Sequence, residues 1–143
     1  MMFYRKKDAA KKSKYHNKKV EYDGISFDSK KEMNRYIILK KAQEEGIISD
    51  LMLQVKYELI PAVREKYIKH LKTKDKECER TIQLPITYTC DFQYTKNGET
   101  IVEDVKASPK IASLDKSFLI KEKLFRWKYG YGIKRVYNPS ETI

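Results

Sequence analysis

Apolar and polar residues alternate in three parts of the chain, and this alternation predicts β-strands. Residues 20–27 alternate on both sides of Asp23-Gly24, a dipeptide that is a strong hairpin signal in such a setting. Every second residue from 51 to 59 is apolar and Pro61 ends the run, which predicts one strand with a single buried face. Asn97-Gly98 predicts a second hairpin between the strands ITYTCDFQYT and TIVEDVKA.

Two helices and a last strand complete the predicted elements. Ser29 followed by Glu32 has the spacing of a capping box, and Gly46 can end the helix that begins there. A second helix is expected after Pro109, over residues 113–130, and IKRVY is expected to close the chain as a strand. The apolar residues expected on the buried face of the second helix are Leu114, Phe118, Leu124, Phe125 and Trp127.

These elements predict a single α/β domain over residues 20–143, with a mixed central β-sheet flanked by helices. Residues 1–19 are rich in lysine and lack apolar periodicity, so they are expected to form either a flexible basic arm that touches phosphates or a tail that only adds solubility. Residues 62–82 are strongly charged with a mixed pattern, which predicts a partly helical excursion that stands off the core.

The charge balance points to nucleic acid as the partner. Lys and Arg total 31 against 20 Asp and Glu, which gives a net charge of +11 and a long-range attraction for polyanions. No stretch is apolar enough for a signal peptide or a membrane span, so a membrane partner is not expected. Cys78 and Cys90 lack zinc-ligand spacing, which favours a reduced, cytoplasmic chain.

The second hairpin brings two acidic residues together. If Asn97-Gly98 forms the two-residue loop of a type I′ turn, Asp91 lies directly opposite Asp104, with Cβ atoms about 4.5–5.5 Å apart. Like charges in such positions repel each other, so a compensating cation is expected. Mg²⁺ suits this place because it prefers carboxylate oxygens and keeps several waters.

The same register sorts the other residues of the hairpin. Glu103 falls on the apolar side near the margin of the sheet, whereas Lys106 shares the polar side with Asp91 and Asp104; a one-residue bulge would exchange the two acids. Lys106 is either a counter-ion of Asp104 on a solvated face or a participant in chemistry. The apolar side collects Ile86, Tyr88, Cys90, Phe92, Tyr94, Ile101 and Val105.

Glu32 has two interpretations that can coexist. Its spacing from Ser29 explains it as part of a capping box. Tyr36 and Leu39 follow four and seven residues later, so Glu32 also belongs to a stripe that turns toward the body of the protein, where it could reach a metal or its water.

Together these residues resemble the PD-(D/E)XK nuclease superfamily. FDSKKE corresponds to the helix acid, Asp91 to the first strand acid and EDVK to the acid-x-lysine element. Longer blocks, among them LQVKYELIPA and KLFRWKYGYGIKRVY, resemble a phage-encoded family of small nuclease-like proteins. Phage junction resolvases of the endonuclease I type and TnsA-like nucleases share that core. The resemblance covers the chain except for about the first dozen residues and residues 62–82.

The resemblance implies a restriction-endonuclease-like core and a Mg²⁺- or Mn²⁺-dependent endodeoxyribonuclease of phage origin. Asp91, Asp104 and Glu32 would hold the metal, and Lys106 would orient or activate the attacking water. Branched DNA such as a Holliday junction is one implied substrate, and a homodimer is one implied assembly. Phosphate contacts are implied for three lysines that are otherwise ordinary helix surface, Lys116, Lys121 and Lys123.

Two other function classes remain open on the sequence. A non-catalytic basic DNA-binding protein needs the charge but not the set of three acids and a lysine. An RNA-binding protein agrees with the charge and the 11 tyrosines, but the chain carries no signature of a common RNA-binding module. Gln54 lies on the polar side of its strand, where it is either a surface residue or a neighbour of the acids.

Overall fold

The computed structural model describes residues 18–143. Within them the protein is a mixed α/β fold with three helices and ten strands, arranged as one four-stranded sheet and three two-stranded sheets. The part of the chain predicted to be a basic arm, residues 1–19, lies outside these residues except for Lys18 and Lys19, which are exposed and have no regular structure.

The N-terminal elements follow their sequence signals. Strands β1 (Val20–Tyr22) and β2 (Ile25–Phe27) form an antiparallel hairpin, and Asp23 and Gly24 both adopt the positive φ that a type I′ turn requires. Helix α1 (Lys30–Glu44) begins after the N-cap Ser29 and is followed by Gly46 at φ 73°. The predicted hairpin and helix are therefore confirmed.

Residues 49–96 form one long two-stranded arm in three consecutive sections. Its strands are β3 (Ser49–Leu53), β4 (Lys56–Ile60) and β5 (Val63–His70) on the way out, and β6 (Asp75–Gln83), β7 (Ile86–Thr89) and β8 (Phe92–Lys96) on the return. β3 pairs with β8, β4 with β7 and β5 with β6, all antiparallel. Leu53 pairs with Phe92, Tyr57 with Tyr88 and Tyr67 with Cys78, and each of the three sections contains one register shift.

The arm differs from the sequence prediction in three ways. Residues 51–59 and 86–95 were each predicted to be one strand, but each is divided at the same level of the ladder, on either side of Gln54 and of Asp91. Beyond this bend Tyr88 and Cys90 face a different core from Phe92, so the prediction that all three share one side is wrong. The excursion at residues 62–82 is strand rather than helix, although it does stand off the core because nearly all its residues are exposed.

The four-stranded sheet has the order β10-β9-β8-β3. The β8–β9 hairpin keeps the predicted register, with Phe92 opposite Glu103 and Lys96 opposite Glu99, and Asn97 and Gly98 supply the positive φ of the turn. Strand β10 (Lys134–Val136) lies parallel to β9 (Glu99–Val105), while the other pairs are antiparallel. The predicted mixed sheet is therefore present, with two-stranded sheets attached to it.

Helices cover two separate cores on opposite sides of β9. Tyr36 and Leu39 of α1 pack with Phe92 and Tyr94, whereas Phe118 and Phe125 of α3 (Lys116–Tyr129) pack around Val102. The intervening helix α2 (Pro109–Leu114) is short and begins at the N-cap Ser108. The prediction that one face of the second hairpin is polar is thus wrong, because α3 buries part of that face.

Helix α3 buries a narrower stripe than the sequence suggested. Phe118 and Phe125 are buried and Leu124 is partly buried, as predicted. Leu114 is 67% exposed and Trp127 is 80% exposed, so their assignment to the buried face is wrong. Asp115 separates α2 from α3 as the N-cap of the longer helix, which takes Leu114 out of the helical stripe.

A buried ion pair joins α1 to the centre of the sheet. Arg35 and Glu103 are both 0% exposed, and the Arg35 guanidinium donates to both Glu103 carboxylate oxygens, at 2.8 Å and 2.5 Å. Arg35 also donates to the carbonyls of Pro139 and Glu141, and the Tyr94 hydroxyl donates to Glu103 at 2.7 Å. Glu103 was expected near the sheet margin; it lies instead in the core, where Arg35 compensates its charge.

We expect removal of either partner to be strongly destabilising. Glu103→Leu leaves the fully buried Arg35 without its carboxylate, which costs about 3–5 kcal/mol. Arg35→Leu leaves Glu103 with only Lys134 as a charge partner, whose ammonium lies 3.4 Å from Oε1. The double variant should lose clearly less than the sum of the two single losses, since neither charge is then present. Urea unfolding of the four proteins in a double-mutant cycle measures this coupling.

The surface pair Lys40–Asp23 provides the control. Its atoms are 2.6 Å apart, but its side chains are 39% and 52% exposed, so the same cycle there should yield at most about 1 kcal/mol. Equal coupling energies in the two cycles would contradict a special role for the buried pair.

Candidate functional site

Asp91 lies at the bend where the arm leaves the four-stranded sheet. The Gln54 amide donates to the Asp91 carbonyl at 3.1 Å, and the Cys90 amide donates to the Val55 carbonyl at 3.0 Å, so both strands bend together. Gln54 adopts φ 53°, which turns the outgoing strand. The Asp91 carboxylate then accepts the Val105 amide at 2.7 Å. Asp91 is therefore held against β9 by its own side chain.

Successive residues of β9 point to opposite sides, and this separates the two adjacent acids. Glu103 faces α1, and its carboxylate accepts hydrogen bonds from Arg35. Asp104, 6% exposed, faces the other side, where the Tyr88 hydroxyl donates to Oδ2 at 2.8 Å and Lys106 Nζ lies 2.8 Å from Oδ1. The structure thus leaves Asp104, and not Glu103, beside Asp91 and Lys106.

Glu32 reaches the same region from the first turn of α1. The Ser29 hydroxyl accepts the Glu32 amide at 3.2 Å and donates to the Glu32 carboxylate at 3.1 Å, so the capping role is real. Lys31 ties this helix end to the sheet by donating to the carbonyls of Ala107 and Tyr137 at 2.6 Å and 2.9 Å. Glu32 is therefore both a capping residue and a neighbour of the strand acids.

Two open clefts meet at Glu32. One, of about 230 Å³, lies between the β1–β2 hairpin and the bend of the arm, and Glu32, Gln54 and Asp91 line it together with Asp28. The other, of about 300 Å³, is lined by Glu32, Val105 and Lys106 and by the first residues of α1. Glu32 is common to both clefts, whereas Asp91 lines only the first and Lys106 only the second; Asp104 lines neither.

Mutual repulsion and burial perturb the acids. Burial, followed by the negative charges of Asp104 and Glu32, raises the pKa of Asp91 to about 7; Lys106 acts in the opposite direction. Burial is also the main cause that raises the pKa of Glu32, with smaller contributions from Asp28 and Asp104. Burial therefore perturbs Asp91 and Glu32 more than the neighbouring charges do.

The donor set fits a hard divalent cation. Each carboxylate of Asp91 and Asp104 has about four acceptor positions, and the contacts described above leave several of them free. Among residues 18–143, no group of three or more His, Cys, Asp or Glu is already arranged to hold a metal ion. Mg²⁺, however, usually takes one or two protein carboxylates and completes its shell with waters.

Lys106 is held in place by more than one contact. Its side chain is 18% exposed, and its ammonium lies 3.8 Å from the centroid of the Phe118 ring and 4.0 Å from a carboxylate oxygen of Asp115. Such packing fixes the ammonium on one side of Asp104. Lys106 is thus a counter-ion of Asp104, and its position at the cleft also allows it to act on a bound substrate.

The lysines predicted to contact phosphates are not part of these clefts. Lys116, Lys121 and Lys123 lie on α3, and none of them lines either cleft at Glu32. Lys121 borders a separate groove beside Ile86 and Thr87 of β7. Their predicted contact with DNA remains a prediction.

Two further residues of the site were not singled out firmly from the sequence. Gln54 lines the cleft, with its amide nitrogen 3.4 Å from an Asp91 carboxylate oxygen; its polar position in an alternating strand was the available signal. Lys31 carried no signal, because lysines are abundant in α1 and only the tertiary structure distinguishes this one.

Comparison with known families identifies the one to which most of the chain corresponds. The family described as "Protein of unknown function (DUF1064)" matches residues 12–137. The chain belongs to this family. No curated protein and no solved structure matched the chain. In this DUF1064 chain, no helix within residues 18–143 has both the length and the apolar character needed to cross a membrane.

We expect the stability of the DUF1064 chain to fall as the pH rises through the titration of Asp91. Between the ordinary pKa of 3.8 and about 7, the folded protein keeps a proton that the unfolded chain has released, so raising the pH favours unfolding. Asp91→Asn keeps an acceptor for the Val105 amide but removes this titration. Melting temperatures from pH 4 to 8 should therefore decline less steeply in Asp91→Asn than in the wild type.

Mg²⁺ provides a second comparison. At pH 8 it should raise the melting temperature of the wild type, because it binds the folded protein and offsets the carboxylate repulsion. It should not raise that of Asp91→Asn. Identical pH profiles for the two proteins would contradict the assigned electrostatics of the site.

Proposed function

We propose that the protein is a divalent-metal-dependent endodeoxyribonuclease with a restriction-endonuclease-like core. The observation that carries the proposal is the meeting of Glu32, Asp91, Asp104 and Lys106, which come from a helix end, a bend in the arm and one strand. This is the acid-acid-lysine set for which the chain resembles the PD-(D/E)XK superfamily.

Asp91 and Asp104 would hold Mg²⁺ or Mn²⁺, and Glu32 would complete the site or position a water. The metal would lower the pKa of its bound water and would compensate the negative charge that develops on the phosphate. The protein contributes the fixed geometry: the Val105 amide orients Asp91 and the Tyr88 hydroxyl orients Asp104. Burial and the nearby Asp104 raise the pKa of Tyr88, so its hydroxyl remains a donor.

Lys106 would act on the water or the scissile phosphate. Its ammonium is close to Asp104 and beside the cleft that contains Glu32. A cation fixed by packing needs little reorganisation when negative charge develops in the transition state, and such groups are effective for that reason. Lys106 would thus offset phosphate charge and orient the nucleophile.

DNA is the proposed substrate because of the net charge of +11. Phosphate contacts by Lys116, Lys121 and Lys123 would be sequence-independent and would position the duplex. A branched DNA such as a Holliday junction, a homodimeric assembly and action in the cytoplasm of a phage-infected bacterium are the finer parts of the proposal. They rest on the resemblance alone.

A non-catalytic DNA-binding protein is the second candidate. The close Lys106–Asp104 pair favours it, since a lysine that only neutralises Asp104 needs no chemistry. A pure binder, however, gains nothing from placing Asp91 and Glu32, whose pKa values are raised by burial and by nearby carboxylates, next to a polyanion. The first proposal is therefore preferred.

Cleavage of labelled duplex and four-way-junction DNA, with and without Mg²⁺, tests the proposal. We expect Asp91→Asn and Asp104→Asn to abolish Mg²⁺-dependent cleavage while the proteins stay folded. Glu99→Gln on the exposed β8–β9 turn is the matched control and should cleave like the wild type. A wild-type protein that binds both DNAs but cuts neither with Mg²⁺ or Mn²⁺ would favour the second candidate.

Lys106→Met separates catalysis from charge compensation. Methionine can keep the packing against Phe118, so we expect metal and DNA binding to persist while single-turnover cleavage falls at least about a hundredfold. The control is Lys41→Met, a lysine that is 74% exposed near the end of α1. A Lys106→Met rate within roughly tenfold of the wild type would mean that Lys106 is only a counter-ion.

A further inference from the structure

Strands β5 and β6 form a ribbon that no other element of the described chain covers. Every residue of the two strands is exposed except Cys78, which is half-buried. An eight-residue strand is about 26 Å long, so the ribbon projects well beyond the core. Pro61 and Pro85 flank it on the two strands and, lacking amide hydrogens, interrupt the ladder between it and the rest of the arm. An exposed ribbon of this length needs a reason other than packing.

The charges of the ribbon are sorted along its length. Three of its four carboxylates are in ion pairs within the ribbon, Arg64–Glu79, Lys66–Glu77 and Arg80–Glu65, and the fourth, Asp75, lies 2.7 Å from the His70 ring nitrogen, a charge pair only when His70 is protonated. Four lysines remain, and within residues 18–143 none of them has a carboxylate oxygen within 4.0 Å. They are Lys69, Lys72, Lys74 and Lys76, all in the eight residues around the tip.

The tip lysines repel one another in the free protein. Lys69 and Lys76 are direct cross-strand partners, and like charges in that position are destabilising. Lys72 and Lys74 add two more positive charges in the connecting turn. A polyanion would relieve this repulsion, and it would find the carboxylates of the stem already neutralised.

We propose that the β5–β6 ribbon enters the major groove of duplex DNA, with its four tip lysines on the flanking phosphates. The major groove of B-form DNA, about 12 Å wide, admits a two-stranded β-ribbon, whereas the major groove of duplex RNA is too deep and narrow for side chains to read. The ribbon would span about three-quarters of a 34 Å helical turn. The inference rests on DNA as the partner in the proposed function, but not on its chemistry.

The position of the ribbon relates it to the candidate active site. The arm passes through the bend at Gln54 and Asp91, continues as β4 and β7, and ends as the ribbon. The tip is at most about 60 Å from Asp91 along the chain. The ribbon would therefore hold the duplex on the segment next to the one presented to the acids.

The first experiment compares two double variants of the full chain in a DNA-binding titration. Lys72→Gln/Lys74→Gln alters the turn and leaves the strand pairing intact, and Lys40→Gln/Lys41→Gln removes two lysines that already have carboxylate partners. Both change the net charge by the same amount. Fluorescence anisotropy with a labelled duplex in EDTA, over a salt series, measures affinity without cleavage.

We expect the tip variant, Lys72→Gln/Lys74→Gln, to bind duplex DNA at least roughly tenfold more weakly than the wild type at 0.1 M salt. The slope of log K against log [salt] is negative, and its magnitude should decrease by about 2 in this variant. The α1 variant should keep the wild-type slope. Equal slopes for the two variants would overturn the proposal, and so would an equal loss of affinity for duplex RNA of the same sequence. A wild-type protein that binds duplex DNA as expected but does not cleave it would contradict the proposed nuclease activity and leave the proposed role of the ribbon standing.

A second experiment uses the native thiols of the unmodified protein. Cys78 is half-buried in the middle of the ribbon and Cys90 is 0% exposed, so a maleimide should label Cys78 first and Cys90 only on unfolding. Saturating duplex DNA should slow labelling of Cys78 at least about fivefold. An unchanged rate would contradict insertion of the ribbon.

The competing occupant is a second copy of the chain. Ile68 and Ile82 of the ribbon are 60% and 56% exposed, and they could instead form a contact between copies. Sedimentation velocity on the wild type and the tip variant, in the absence of DNA, separates the two cases. Concentration-dependent protection of Cys78 without DNA, together with a dimeric mass, would replace the DNA interpretation.

Discussion

The buried pair between Arg35 and Glu103 is the interaction on which the rest of the site depends. Two opposite charges with no solvent exposure are tolerable only because the guanidinium meets both carboxylate oxygens and its remaining donors reach backbone carbonyls near the C-terminus. This joins α1, β9 and the last residues of the chain in one arrangement. A slip of β9 by one residue would turn Glu103 away from Arg35 and break this pairing.

Because Glu103 is fixed on one side of β9, its neighbour Asp104 must face the other side. There it meets Lys106 and, across the bend of the arm, Asp91. The same pair fixes the position of α1, whose first turn carries Glu32, and Lys31 closes that end against Ala107 and Tyr137. The site is thus positioned partly by the Arg35–Glu103 pair, which lines neither cleft, and partly by Lys31 and Ala107, which line one of them.

The sequence was sufficient where local chemistry decides the structure. The two Gly-containing turns, the capped helix and the register of the β8–β9 hairpin follow from short-range rules, and the register was enough to place Asp104, and not Glu103, on the side of Lys106. It was not sufficient where a distant residue decides. No sequence pattern near Glu103 predicts its contact with Arg35. The bend at Gln54 cannot be predicted from the pattern either, because apolar and polar residues continue to alternate beyond it. The ribbon was missed because paired charges on two exposed strands show no apolar pattern.

The arm has a further consequence for how such a protein can change. Its two strands leave and rejoin the four-stranded sheet side by side, as β3 and β8, and the outer section is separated from the inner ones by a proline on each strand. Residues can therefore be inserted or deleted beyond the prolines in matched numbers without moving the bend or either core. The length of the β5–β6 ribbon can therefore change independently of the rest of the fold. Relatives could differ in the length and charge of this ribbon while they keep the same acids and lysine at the base of the arm.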